Sequence, residues 1–284
     1  MKSILILLLT IQSSFAAISG ADDRHEVIDA PARIQEIAKS IPALIRKKYV
    51  KELKDGTFKI EGPSYTDTFN FCPDTRFTQN QTLAANCSAF LIGKNRIGTA
   101  GHCIENGGKI DLEDYLVVFD YKLNHHGQNE FIIPKENIYT PKKALHYIFN
   151  FPGDKDVAVI ELDRNVTNRT PLKMATERIE VDEDIYILGF PFGLAMKYQD
   201  NGFVTRATDS HGGLDSFEHN LDIFSVNSVS AIFSAKTDEI VGILVRGTGS
   251  NYEEDISRGC NVWGGEISKG RYSGEGNYID LLKF

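Results

Sequence analysis

Apolar and polar positions alternate over two distinct textures along this chain. Residues 31–54 place Ile34, Ile37, Ala38, Ile41, Leu44 and Ile45 at roughly helical spacing. Pro31 suits a helix start and Pro42 should break or kink the helix. From about residue 85 the pattern changes to short runs of β-branched and aromatic residues separated by Gly, Asn and Asp. Runs 88–92, 115–119, 157–160, 185–188, 202–205 and 240–245 read as strands. No ten-residue helical pattern alternates with them, which argues against βαβ units. Many short antiparallel strands predict an all-β sandwich or barrels. The tail, 248–284, is rich in Gly, Asn and Ser and carries Trp263, the only tryptophan.

The first residues form a separate pattern. Lys2 precedes an apolar run, Ile4 to Ile11, too short to span a bilayer, and Ser14-Phe15-Ala16 puts small residues, Ser14 and Ala16, at the two positions a signal peptidase inspects. The expectation is a signal peptide over 1–16, an N-terminal segment over 17–70 that is either a pro-segment with a helix or a permanent part of the fold, and one catalytic or binding domain over 71–284. The product is expected to be exported, with no membrane attachment after signal removal. Net charge is −8 and no Lys/Arg block stands out, so nucleic acid is not an expected partner. Four cysteines, Cys72, Cys87, Cys103 and Cys260, predict two disulfides in an exported chain, with three pairings open. None of the cysteine spacings is of the CxxC type. His125, His126 and the Asp209/His211 pair lack a third ligand by spacing, so neither metal nor cofactor is expected.

Three stretches carry candidate chemistry. Thr99-Ala100-Gly101-His102-Cys103 follows a predicted strand, 95–98, and puts a histidine at a strand end. Asp156 opens the apolar run Val157 to Ile160, where a carboxylate can sit buried beside an imidazole; Asp154 is its rival. Residues 220–233 (NLDIFSVNSVSAIF) run into the apolar run 240–245. Together these stretches resemble the trypsin-like serine peptidases, in particular the secreted bacterial branch that includes the glutamyl endopeptidases. The resemblance covers roughly residues 70–247. Two shorter stretches add to it: Gly189-Phe190-Pro191-Phe192-Gly193 looks like a turn carried before the nucleophile, and Gly20 to Arg24 looks like a motif found in front of some relatives.

The resemblance implies two antiparallel six-stranded β-barrels, over about 85–165 and 170–250, with 251–284 as a tail. It implies a triad of His102, Asp156 and Ser228, with Ser225 and Ser230 fitting less well because neither follows an Asn. Backbone N–H groups of Val226 and Ser228 would form the oxyanion hole, and a polypeptide would be the substrate. It also implies a Cys87–Cys103 disulfide, which leaves Cys72 and Cys260 as the second pair. Asp222, six residues before Ser228, is the candidate for a carboxylate that receives a basic side chain, whereas Leu244 stands where Glu-specific relatives have a histidine.

The nucleophile loop departs from the family pattern. Val226 and Val229 replace glycines, and Ala231 replaces a proline. A β-branched residue resists backbone angles that glycine adopts freely. Misdirecting one oxyanion donor costs about 10²–10³ in turnover. The expectation is a peptidase of reduced activity; the alternative is a catalytically dead binding module on the same fold. Asn227 precedes the serine where trypsin has Asp, so activation through an ion pair to a new N-terminus is not expected. Four sequons, at Asn80, Asn86, Asn165 and Asn168, matter only in a glycosylating host.

Overall fold

The structure, a computed structural model, describes residues 18–19, 22–78, 81–150, 155–208, 212–222, 230–247, 252–263, 266–267 and 273–282. The expected signal peptide, Asp154, the Asp209/His211 pair and residues 223–229, which include Ser225, Val226, Ser228 and Val229, lie outside them.

The chain is mostly β, as its alternation predicts. In the C-terminal half, Asp184–Gly189, Ala231–Ser234, Ile240–Gly247, Gly274–Tyr278, Ser216–His219 and Lys197–Arg206 pair antiparallel in that order. Lys197–Arg206 pairs again with Asp184–Gly189, so the six strands close into a barrel. In the N-terminal half two four-stranded sheets share continuous chain. If 85–93 and 138–149 are each taken as one strand bent at a single residue, the pairings form a second ring. Phe90–Gly93, Arg96–Thr99, Asp156–Leu162 and Pro141–Phe149 form one side. Ile138–Tyr139, Tyr115–Val118, Ala43–Arg46 and Ala85–Ser88 form the other. Asp156–Leu162 is buried at all but one position, which explains its unbroken apolar run.

The helical pattern over 31–54 resolves into a short helix followed by strands. A helix spans only Ala32–Ala38, with Ile34 and Ala38 against the core. Pro42 cannot continue it, and Ala43–Arg46 follows as a strand between Ala85–Ser88 and Tyr115–Val118. Ile41, Ala43, Leu44 and Ile45 are fully buried. Further upstream, His25–Glu26 adds to the edge of Lys197–Arg206.

That edge is fixed by a buried ion pair. Lys197 donates to Glu26 Oε2 at 3.1 Å, Gln81 Oε1 at 2.8 Å and the Ala195 carbonyl at 2.7 Å. Burial pushes the Lys197 ammonium down to about 8, against the Glu26 carboxylate, which holds it up. An unfolded lysine keeps its proton until about pH 10.4. Between about pH 8 and 10 the unfolded chain therefore binds more protons at this site than the folded one. The contribution of Lys197 to stability should rise with pH across that window, by up to about 1.4 kcal/mol per pH unit. Urea unfolding at pH 7.5 and pH 9 checks this. The wild type should gain stability relative to a Lys197→Met/Glu26→Gln variant, and parallel behaviour of the two would rule the effect out.

Both disulfides have formed, Cys87–Cys103 and Cys72–Cys260. The second ties the hairpin Tyr252–Asp255/Cys260–Trp263 to the segment after Phe71, where Phe71, Phe192 and Trp263 pack ring against ring. Arg24 is buried there, paired with Asp22 and lying over the faces of Phe77 and Trp263. Among the described residues, no helix is long and apolar enough to cross a membrane.

Candidate active site

The strand Arg96–Thr99 ends in the 3₁₀ turn Gly101–Ile104, which carries His102. The next residue, Cys103, is bonded to Cys87 on the strand Ala85–Ser88, so the turn is stapled to its own barrel. Gly101 is required by space. A Cβ there would lie 2.5 Å from the Ile148 carbonyl oxygen and 2.9 Å from Phe149 Cβ.

Asp156 opens its strand beside this turn and is 6% exposed. Its carboxylate spans the histidine twice. Oδ1 accepts the His102 backbone N–H at 2.9 Å, and Oδ2 meets the ring Nδ1 at 2.5 Å. A carboxylate accepts only, so Nδ1 carries a proton; Nε2, which holds the lone pair in the neutral ring, lies 3.6 Å from Cys103 Sγ. The His102 side chain is 31% exposed and its ring lies 6.2 Å from that of Phe149. An imidazole held in this tautomer can take a proton at Nε2 while the carboxylate stabilises the resulting cation.

The second barrel approaches through several contacts. The Asp156 backbone N–H donates to Asn277 Oδ1 at 2.8 Å, and Asn277 Nδ2 donates to Ser216 Oγ at 2.8 Å. Ser230 is fully buried, with its Oγ 3.4 Å from Ser88 Oγ. A Cβ on Gly189 would fall 1.7 Å from Ser230 Oγ, so the glycine at this point of the Gly-Phe-Pro-Phe-Gly stretch makes room for the start of the strand Ala231–Ser234. In the same stretch Gly193 has φ +85°, and a Cβ there would meet the Ala85 carbonyl oxygen at 2.6 Å. Ser230 is thus enclosed between Ser88 and Gly189.

Asp222 is buried, directly before the undescribed stretch 223–229. His219 is also buried, and burial pushes its imidazole down to about 3, so the ring is neutral at physiological pH. Its Nδ1 accepts the Leu221 N–H at 3.3 Å. Asn277, Ser216 and His219 were not legible as site residues: an Asn in a Gly-rich tail reads as a turn, and a His in a short strand reads as packing. His125 and His126 are exposed, and His126 pairs with Asp29. Among the described residues, the one group of side chains at metal-ligand spacing is Cys87, His102 and Cys103, whose two sulfurs are bonded to each other.

Comparison with known proteins supports the family and the fold. The family model for a trypsin-like peptidase domain matches residues 87–243. No curated protein matches the chain. Among solved structures, the Vibrio cholerae VesB protease is similar with a TM-score of 0.54 at 15% identity, over 91% of this chain. The chain spans 64% of that protein's length. A Glu endopeptidase solved in complex with MPD is similar with a TM-score of 0.52 at 18% identity, over 93% of this chain and 95% of that one.

Proposed function

This chain belongs to the trypsin-like peptidase domain family, and from that premise we propose that it is an exported serine endopeptidase with Ser228 as nucleophile, His102 as general base and Asp156 as the group that orients the base. The observation that carries the reading is the doubly bonded Asp156–His102 pair, which leaves Nε2 as the ring's proton acceptor. Chain reach adds to it. Ser228 lies two residues from Ser230, a distance of at most about 7 Å, and Ser230 contacts Ser88, whose neighbour Cys87 is bonded to the residue after His102.

In the proposed reaction Ser228 Oγ attacks the scissile carbonyl carbon as His102 Nε2 takes its proton. The backbone N–H groups of Val226 and Ser228 receive the developing oxyanion. His102 then protonates the leaving amine, the peptide C–N bond breaks, and an acyl ester remains on Ser228. Water, deprotonated by the same nitrogen, cleaves that ester. No cofactor or metal takes part. Asp222 is the candidate floor carboxylate, favouring substrates with Lys or Arg before the scissile bond. Two disulfides fit an oxidising compartment such as the periplasm or the extracellular medium.

The test is labelling of the mature protein with a fluorophosphonate, followed by digestion of casein and of a mixed peptide library. Labelling and turnover that Ser228→Ala abolishes are expected, with a preference for basic residues that Asp222→Ser removes. A folded wild-type protein that neither labels nor cleaves would sink the reading. It would favour the binding module that the valines at 226 and 229 suggest.

A further inference from the structure

We propose that Asn277 is a positioning residue for Asp156: it ties the first strand residue of one barrel to the other barrel, and so sets how the carboxylate holds His102. The inference rests on the reading of His102 and Asp156 as base and orienting group.

Both carboxylate oxygens of Asp156 are committed to His102, one to its backbone N–H and one to its ring. Asp156 heads its strand, opposite Phe149. Its backbone N–H donates to Asn277 Oδ1 at 2.8 Å, a bond between residues 121 apart in sequence. Asn277 is fully buried in the strand Gly274–Tyr278. Its amide is itself oriented, since Nδ2 donates to Ser216 Oγ at 2.8 Å and lies 3.5 Å from the Asp215 carbonyl oxygen. Ser216 is fully buried on the neighbouring strand.

The amide thus has a fixed sense: its oxygen faces Asp156 and its nitrogen faces Ser216. An apolar residue of similar size would fill the same space but leave the Asp156 N–H without that acceptor. The strand end could then shift. A backbone shift of more than about 0.5 Å would carry the 2.5 Å contact between carboxylate and imidazole outside productive geometry. Two further contacts bracket the junction. Lys155 pairs with Asp215 at 3.0 Å, and His146 Nε2 bonds to the Leu281 carbonyl at 3.1 Å. These hold the barrels together without touching Asp156, so the loss of Asn277 should loosen the carboxylate before it separates the barrels.

Three variants test this. Asn277→Ala should lower kcat about tenfold with KM within about twofold of wild type, as expected for misplacement of a reacting group rather than lost binding. In the proton NMR spectrum the downfield His102 Nδ1–H resonance should broaden or vanish, and should do so in a Ser228→Ala background as well. Asn277→Asp keeps an oxygen facing the Asp156 N–H and should restore the resonance and most of kcat. Ser216→Ala removes the partner that orients the amide and should cost about two- to threefold in kcat. If Asn277→Ala does not fold, the other two variants decide. A Ser216→Ala protein with unchanged kcat and an unchanged resonance overturns the proposal. So does a folded Asn277→Ala protein whose resonance is intact, whatever its rate. If the wild type shows no Ser228-dependent turnover, the peptidase reading fails, while the resonance in the Ser228→Ala background still decides the role of Asn277.

Discussion

Asp156→Asn is expected to lower kcat for peptide hydrolysis by about 10⁴ while leaving the fold and KM nearly unchanged. The geometry says why so small a change should be so costly. In the wild type, one carboxylate oxygen accepts the His102 backbone N–H at 2.9 Å and the other meets Nδ1 at 2.5 Å. An asparagine can keep both contacts only by turning its oxygen to the backbone N–H and its amide nitrogen to the ring. An amide N–H facing Nδ1 demands a lone pair there, so the ring proton moves to Nε2. That nitrogen can no longer take the proton of Ser228. The imidazolium also loses the negative charge beside it. Because both hydrogen bonds survive, the folded state has little reason to be destabilised, and thermal melting should show it intact. The measurement is kcat and KM on a cleaved peptide, alongside the fluorophosphonate labelling rate, which should fall with kcat. A loss smaller than about tenfold would remove Asp156 from the role and turn attention to Asp154.

The pairing of His102 with Asp156 was legible through the resemblance to trypsin-like peptidases, whose motifs put both residues at the ends of apolar strands. The His102 pentapeptide places its base directly after a strand, and the strand Arg96–Thr99 ends one residue beyond the end expected for it. The run after Asp156 is buried on both faces, as an unbroken apolar stretch requires. The strand Ala43–Arg46 was hidden by a coincidence of spacing. Ile41, Leu44 and Ile45 satisfy the i, i+3, i+4 template as well as they satisfy a short strand enclosed on both sides. Only Pro42 hinted at the change of state. Asn277 was hidden for another reason: its role depends on a residue 121 positions away, and no local pattern encodes a contact across two barrels. Ser230 is the reverse case. Its sequence neighbourhood made it a minor candidate for nucleophile, and its hydroxyl is packed against the space left by the glycine at 189.

A chain shortened to residues 71–284 is expected not to fold, which would make the N-terminal segment part of the mature enzyme rather than a removable pro-segment. Ala43–Arg46 occupies an interior place in the first ring, bonded to Tyr115–Val118 on one side and Ala85–Ser88 on the other. Its loss would expose two strand edges in the barrel that carries His102 and Asp156. The same segment contributes Val27, Ile34, Ile41, Leu44, Ile45 and Ile60, each no more than 2% exposed. At roughly 1.5–3 kcal/mol for each buried side chain, the six together are worth about 9–18 kcal/mol. The net stability of a folded domain is about 5–15 kcal/mol, so what remains cannot be expected to hold. Glu26 would also be gone, leaving Lys197 buried without its carboxylate. Circular dichroism and thermal melting of the shortened chain check the outcome: no cooperative transition is expected, and N-terminal sequencing of the active protein should begin upstream of residue 27. A stable, active 71–284 fragment would mean that the first barrel closes without Ala43–Arg46. The His102 turn would then owe its position to the Cys87–Cys103 bond and the strand Asp156–Leu162 alone.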